Sequence, residues 1–358
     1  MEQKKTVLVL FGGVSSEHEI SRISAASVLK QMNREKYTIL KAGITKTGKW
    51  MLTESAPEAI EDGTWESDPA NRPLLLSLNA ENPGFYAGDE GRQEHHGVDV
   101  VFPVLHGRNG EDGTVQGMLQ MAGIPYVGSD TAGSAACMDK AMTKALVSQA
   151  EAADQAKCCI IHRIGVDPEE AAEGADAFFE GRYPLFVKPA RAGSSVGITK
   201  VKERGALGQA IRTAFAQDSK ILVEEAIAGR ELEVAVLGNE DPVVSGVGEI
   251  FTAGEFYDYE AKYDDIGSRT SVKPDLPEET ELQIRETALR IYRTMECRGL
   301  ARVDFFLTEG GRIVFNEINT MPGFTKISMY PALWEASGIG YPALIDELIR
   351  LAEERETQ

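Results

Sequence analysis

Residues 299–325 read GLARVDFFLTEGGRIVFNEINTMPGFT, and two runs of alternating apolar and polar residues, 300–307 and 312–318, flank the turn signal TEGG. That pattern predicts a β-hairpin. With an even-numbered loop, Arg302 falls opposite Glu317 and Asp304 opposite Phe315. Strand side chains alternate between faces, so Arg302, Asp304, Glu317 and Asn319 share one face, and Ala301, Val303, Val314 and Ile318 share the other. Hard oxygen donors crowded beside a guanidinium, on strands of Val, Ile and Phe, are costly unless a cation lies between the carboxylates. The hairpin therefore points to a magnesium site with a phosphate or carboxylate next to it. A solvated face with an Arg–Glu cross-strand pair is the plainer alternative.

Around this hairpin, 358 residues are too many for one ordinary core, so two or three domains are expected. The 42% hydrophobic and 26% charged content is that of a globular protein. A net charge of -19 argues against nucleic acid as a partner, so basic residues that hold an anionic ligand must be local. No apolar run approaches a membrane span, which argues against a membrane partner, and the opening MEQKKTVLVLFGG lacks a signal-peptide cleavage pattern. Cys137, Cys158, Cys159 and Cys297 have no metal-ligand spacing, which fits a reduced, cytoplasmic setting.

From the N-terminus, residues 6–11 read as a buried parallel strand ending at Gly12-Gly13. A helix follows, with Ser15 or Ser16 as a plausible cap and Glu17 and Glu19 in its first turn. Strand, glycine turn, helix is the layout of a ligand-binding junction, although the spacing is not that of a dinucleotide fingerprint. GITKTGK, 43–49, nearly fits a phosphate loop, but Trp50 stands where that loop needs a hydroxyl. Residues 50–97 are polar and rich in Pro, Gly and Glu, and read as a surface insertion with LLLSL as its one strand candidate. VDVVFPVL, 98–105, is a second buried strand, followed by a glycine-rich loop with His106, Arg108, Glu111 and Asp112. Two such loops on neighbouring parallel strands would face one crevice.

Lys140 lies on an alanine-rich helix. PLFVK delivers Lys188, AGSSVG offers successive backbone N–H groups, and GITKV returns as a strand, so the small-residue loop reads as a cover over phosphates. Glu224 and Glu225 end a strand and Glu231 and Glu233 lie on the next; a carboxylate there suits an amino group, and a solvated acidic edge would look the same. Residues 251–277, with Tyr257, Tyr259 and Tyr263, read as an active-site lid. EETELQIRETALRIYRTMEC is an amphipathic helix, and PALIDELIRLAEER is the last one.

The motifs GGVSSEHEIS, HGRNGEDGTVQGMLQMAGIPYVGS, MDKAMTK, VKPARAGSSVG, FYDYEAKY, ARVDFF and NEINTMPGFTKISMYP resemble, in order and spacing, those of the D-alanine–D-alanine ligases of the ATP-grasp superfamily. The resemblance spans essentially the whole chain. It implies an α/β fold of three domains: a Rossmann-like parallel-sheet substrate domain over 1–135, a central ATP-grasp subdomain over 136–222, and a C-terminal domain over 223–358, the last two clamping ATP. By the same resemblance Lys140 and Lys188 hold phosphates, the loop with Gly193, Ser194 and Ser195 covers them, and Glu224, Glu225, Ile227 and Glu231 line the adenosine pocket. Lys262 reaches the γ-phosphate. Asp304, Glu317 and Asn319 correspond to ligands of two magnesium (or manganese) ions. Glu17 corresponds to the acid that binds the first D-alanine's ammonium, with His106 and Glu111 nearby and with Ser194 and Tyr263 orienting it. Arg302 and the Gly323 N–H correspond to oxyanion donors, and Ser328 and Met329 to the second D-alanine's pocket. The implied reaction makes D-alanyl-D-alanine through an acylphosphate for peptidoglycan precursors, with ATP and D-alanine as partners and a homodimer as the assembly. Rival readings are a D-alanine–D-serine or D-alanine–D-lactate ligase, or a non-catalytic nucleotide-binding module.

Two departures bear on structure. VSQAEAADQAKCCIIHR, 147–163, lacks the Gly or Pro that usually ends the helix here, so a longer helix is expected, and the position of the strand at 158–162 is left open. Lys326 stands beside the second-substrate pocket where a small or neutral residue is usual.

Overall fold

The structure, a computed structural model, describes residues 4–89, 91–193, 196–251 and 269–356. Strands β1 (Lys5–Gly12), β2 (Tyr37–Ile44) and β7 (Val100–Val104) form the parallel heart of a seven-stranded sheet ordered β6-β5-β4-β3-β2-β1-β7. β1 is apolar on both faces because both are covered, as expected of a parallel strand. Helix α1 (His18–Gln31) follows β1.

Residues 50–97 depart from the expected surface insertion, although LLLSL falls largely on a strand, as expected. They are not a surface elaboration: β3 (Trp50–Leu52), β4 (Arg72–Ser77), β5 (Gly84–Ala87) and β6 (Glu94–Gly97) extend the same sheet in antiparallel fashion. The sheet is therefore mixed, not purely parallel. Helix α2 (Pro57–Asp62) joins them, and the Trp65 side chain is fully buried edge-on against Phe11, ring centroids 5.0 Å apart. Its ring fills the space a side chain at position 43 would need: a Cβ on Gly43 would lie 2.2 Å from it. The polar composition of the segment hid these few buried anchors.

Helices α3 (Thr114–Met121), α4 (Thr131–Met138) and α5 (Lys140–Gln149) lead to a second, four-stranded sheet, β10-β9-β11-β8. It is built from β8 (Cys158–His162), β9 (Leu185–Pro189), β10 (Thr199–Val201) and β11 (Lys220–Glu225), all antiparallel. Helices α6 (Pro168–Phe178) and α7 (Leu207–Gln217) cover it. The expected longer helix is absent: α5 stops at Gln149, and Glu151 takes the left-handed turn (φ 50°) that glycine would normally fill. The strand at 158–162 forms where it was in doubt.

The third sheet, β14-β13-β12-β15-β16, is antiparallel. Its strands are β12 (Arg230–Gly238), β13 (Val243–Phe251), β14 (Arg269–Ser271), β15 (Gly299–Leu307) and β16 (Ile313–Asn319). The amphipathic helix α8 (Glu278–Thr294) presents Ile284, Ala288, Ile291 and Tyr292 to one face of it, against Val234, Val303 and Phe305. The opposite face is split. Ala235, Leu237 and Leu300 lie under α9 (Met329–Ala336) and α10 (Tyr341–Glu356), in a core shared with Val7, Val9 and Phe102 of the first sheet. The rest of that face carries the polar residues described below. Within the expected 251–277 lid, Phe251 and β14 are sheet and 272–277 are irregular; residues 252–268, with Tyr257, Tyr259, Lys262 and Tyr263, lie outside the described residues, as do Ser194 and Ser195. The expected divisions at 135/136 and 222/223 fall inside α4 and β11.

The hairpin forms, with a different register. Its loop, 308–312, is odd-numbered, closed by Thr308 N–H to Arg312 O at 3.0 Å, so Leu307 pairs Ile313 and Phe305 pairs Phe315. A bulge at Asn316 then sets Asp304 opposite Glu317 and Arg302 opposite Asn319. Two shifts of one restore the shared face of the four polar residues. They also move Val314 to the side of Phe306 and send Phe315 into the core, the reverse of what strict alternation predicts.

Candidate active site

One cavity of about 780 Å³ collects residues from the second and third sheets and from the segments that follow β1 and β7. The carboxyl ends of β1 and β7, paired Phe11 to Val104, place the two glycine-rich loops side by side as expected. Ser15 does not cap α1. Its hydroxyl donates to His106 O at 2.9 Å and accepts from Glu17 N–H at 3.1 Å, tying one loop to the other, while Glu17 itself occupies the cap position. The Glu17 carboxylate is nearly buried and wedged between glycines: a Cβ on Gly107 or Gly193 would come within 2.3 or 2.4 Å of its Oε2. Those two positions need glycine for that close approach.

His106 is buried, with Nδ1 3.1 Å from Met321 O and Nε2 3.1 Å from the Ser24 hydroxyl. Burial pulls its pKa down, against the opposing pull of Glu17. With both ring nitrogens engaged, it joins the first domain to the loop after β16. Glu111 accepts the Gly107 N–H at 2.6 Å, and burial, followed by the Glu17 charge, pushes its carboxyl up to about 8. Such a group binds its proton more tightly folded than unfolded. Its stabilising contribution is full below the ordinary 4.5 and is lost as pH rises through about 8. Glu111→Gln should flatten that descending part of the stability curve, read as urea midpoints at several pH values; an unchanged slope would remove Glu111 as its source.

On the second sheet, Asp139 caps α5 through the Ala141 and Met142 N–H groups and fixes Lys140, whose Nζ donates to Ala192 O at 3.0 Å and lies 3.4 Å from Glu317. Lys188, on β9, reaches Glu224 Oε2 at 2.5 Å. Glu224 is not simply a wall of a nucleotide pocket. It is buried between Lys188 and Lys144, the latter 2.8 Å from its Oε1. Burial would raise its pKa, but the two ammonium groups outweigh that and hold it down at about 2. Glu225 accepts Lys157 N–H at 2.9 Å, and Ile227 and Glu231 line the cavity beyond it.

On the third sheet, Arg302 forks onto Asp304 (2.8 and 2.7 Å), its neighbour two residues along the strand, where sequence had placed it against Glu317. Glu233, opposite Asp304 on β12, lies 3.2 Å from Arg302 Nε. Asn319 donates to Asp304 Oδ2 at 3.0 Å. Among the described residues no three His, Cys, Asp or Glu side chains gather as a ready metal cluster. Two carboxylates with an amide oxygen nonetheless fit a hard cation that completes its shell with water and phosphate oxygens. Gly323 abuts the Ser328 hydroxyl, which accepts the Thr325 N–H at 3.0 Å, and Met329 begins α9. Lys326 is exposed and does not line the cavity.

The described residues to which the resemblance assigns roles all line this cavity, as does Glu233, expected from its strand; Lys144, which also lines it, and Ser24 have no expected role. Lys144 follows Lys140 by one helical turn, and that spacing is the available signal for it.

Lysines from α5 and a four-stranded sheet across a single cavity from acids of a five-stranded one are the ATP-grasp arrangement, and the fold and cavity place the chain among ligases of that class. The family models described as D-ala D-ala ligase N-terminus and C-terminus match residues 6–129 and 156–350. The chain belongs to the D-alanine–D-alanine ligase family. It is 48% identical to the D-alanine–D-alanine ligase of Acetivibrio thermocellus over 99% of this chain and 97% of that protein. It is also 48% identical to that of Ruminiclostridium cellulolyticum, over 98% and 96%. Among solved structures it is similar to the VanG D-Ala:D-Ser ligase from Enterococcus faecalis (TM-score 0.88, 42% identity, 98% of this chain and 100% of that one). The D-alanine–D-alanine ligase from Coxiella burnetii is similarly close (TM-score 0.87, 36% identity, 99% and 95%).

Proposed function

We propose that this chain joins two D-alanine molecules into D-alanyl-D-alanine, with ATP activating the first through an acylphosphate. The observation that carries the reading is the convergence of Lys140, Lys188, Asp304, Glu317 and Arg302 on the cavity that also holds Glu17. Lys140 and Lys188 bind the triphosphate as point charges, with Gly193, Ser194 and Ser195 in the role of the phosphate cover. Asp304, Glu317 and Asn319 would hold magnesium or manganese, which when bound supplies positive charge to the transferring phosphoryl group. Glu17 anchors the first D-alanine's ammonium and directs its carboxylate to the γ-phosphate, helped by Lys262 and Tyr263. The second D-alanine's free amine, seated by Ser328 and Met329, attacks the acyl carbon. Arg302 and the Gly323 N–H stabilise the tetrahedral oxyanion, and phosphate leaves.

D-serine as the second substrate is the alternative, favoured by the similarity to the E. faecalis enzyme. Phosphate release and product analysis with D-alanine, D-serine and D-lactate across pH separate the readings. An amine attacks only when deprotonated, so dipeptide should gain on depsipeptide as pH rises. A preference for D-serine or D-lactate at every pH would overturn the assignment. The product is a peptidoglycan precursor and the setting is cytoplasmic, in keeping with the absence among the described residues of a helix long and apolar enough to cross a membrane. A homodimer is inferred as well, and sedimentation of the full chain reads it directly.

A further inference from the structure

Lys140 and Lys144 stand four residues apart on α5 and so project from one face. The first reaches toward Ala192 and Glu317; the second lies beside Glu224, whose other oxygen meets Lys188. The three side chains are 9%, 4% and 14% exposed for Lys144, Glu224 and Lys188. One buried carboxylate is thus shared by two ammonium groups, and the trio carries a net single positive charge. Without Lys144 the remaining pair is neutral, and Glu224 leans wholly on Lys188. Screening is weak at such burial, so an anion at Lys188 feels the difference.

We propose that Lys144 is a positioning residue for the nucleotide's phosphates: by taking one oxygen of Glu224 it leaves Lys188 charge and hydrogen-bonding capacity for them. This rests on the ATP reading of the cavity. Lys144 acts through Glu224 and not by touching phosphate, which separates it from Lys140 and Lys188.

The test is a double-mutant cycle in the full chain: Lys144→Met, Lys144→Arg, Glu224→Gln and the Met/Gln double variant. Calorimetry with ATP, ADP and adenosine accompanies steady-state kinetics. Lys144→Met should weaken ADP binding and raise KM for ATP roughly tenfold, with adenosine affinity and kcat within about twofold; Lys144→Arg should stay within about threefold throughout. In the Glu224→Gln background, Lys144→Met should change ADP affinity by less than about twofold. Equal loss in both backgrounds would mean direct phosphate contact, and equal weakening of adenosine a general structural role; either overturns the proposal, as does an unchanged Lys144→Met. Should methionine prevent folding, Lys144→Gln, which keeps a donor for Glu224 but no charge, decides by the same criteria. Failure of the wild-type chain to bind any nucleotide would sink the cavity reading, a different result from a wild type that binds and a variant that does so equally well.

Discussion

Arg302→Ala should lower kcat for dipeptide formation by roughly a hundred- to a thousandfold while leaving ATP affinity nearly intact. The guanidinium is held rigidly: two hydrogen bonds to Asp304 and the nearby Glu233 carboxylate fix its plane on the cavity floor. A donor so fixed needs no rearrangement as negative charge builds on the attacked carbonyl. The lysines proposed to hold phosphate arise from α5 and β9, elements that do not depend on Arg302, so nucleotide binding should survive. Removal also leaves Asp304 and Glu233 without their shared cation, so Arg302→Lys, which keeps charge and loses the fork, is the necessary companion. Single-turnover dipeptide formation beside nucleotide titration gives both quantities. Near wild-type kcat in the alanine variant would remove Arg302 from the chemistry.

Lys188→Met should act in the opposite sense, raising KM for ATP about a hundredfold with a smaller change in the rate at saturation. Glu224 keeps Lys144 as a partner, so the buried carboxylate is not stranded and the second sheet should still form. Steady-state kinetics at varied ATP is the measurement. An unchanged KM would show that the lysine faces Glu224 only and not the nucleotide. The pair of variants separates binding from chemistry: one residue moves KM, the other kcat.

Much of this site is legible in the sequence. Asp304, Glu317 and Asn319 were placed on one face by alternation alone, and Lys188 was placed at the end of a strand beside a small-residue loop; both placements hold. The register was misread because a five-residue turn and a bulge at Asn316 each shift the pairing by one, and nothing in TEGGR or VFNEIN announces either. Two slips cancelled on the polar face and not at Val314 and Phe315. Of the strands in 50–97, β4 is legible in LLLSL, whereas β3, β5 and β6 are hidden for another reason: Trp65 and Phe85 anchor a largely polar segment, so burial is concentrated in residues too sparse to make a period. The Lys144–Glu224–Lys188 trio joins residues from α5, β11 and β9, and no local pattern encodes a contact between elements so far apart in the chain.

The interior that Val7, Val9 and Phe102 share with Leu344, Ile345 and Leu348 fastens the first sheet to the end of the polypeptide, whereas the middle sheet encloses its own apolar centre of Leu185, Val187, Ile211 and Val223. The outer two sheets thus share one interior and the middle sheet keeps its own, so any change of spacing during turnover is expected between the middle sheet and its neighbours. A fluorophore pair bridging the outer sheets should hold its spacing through turnover, while a pair reaching from either of them to the middle sheet should not.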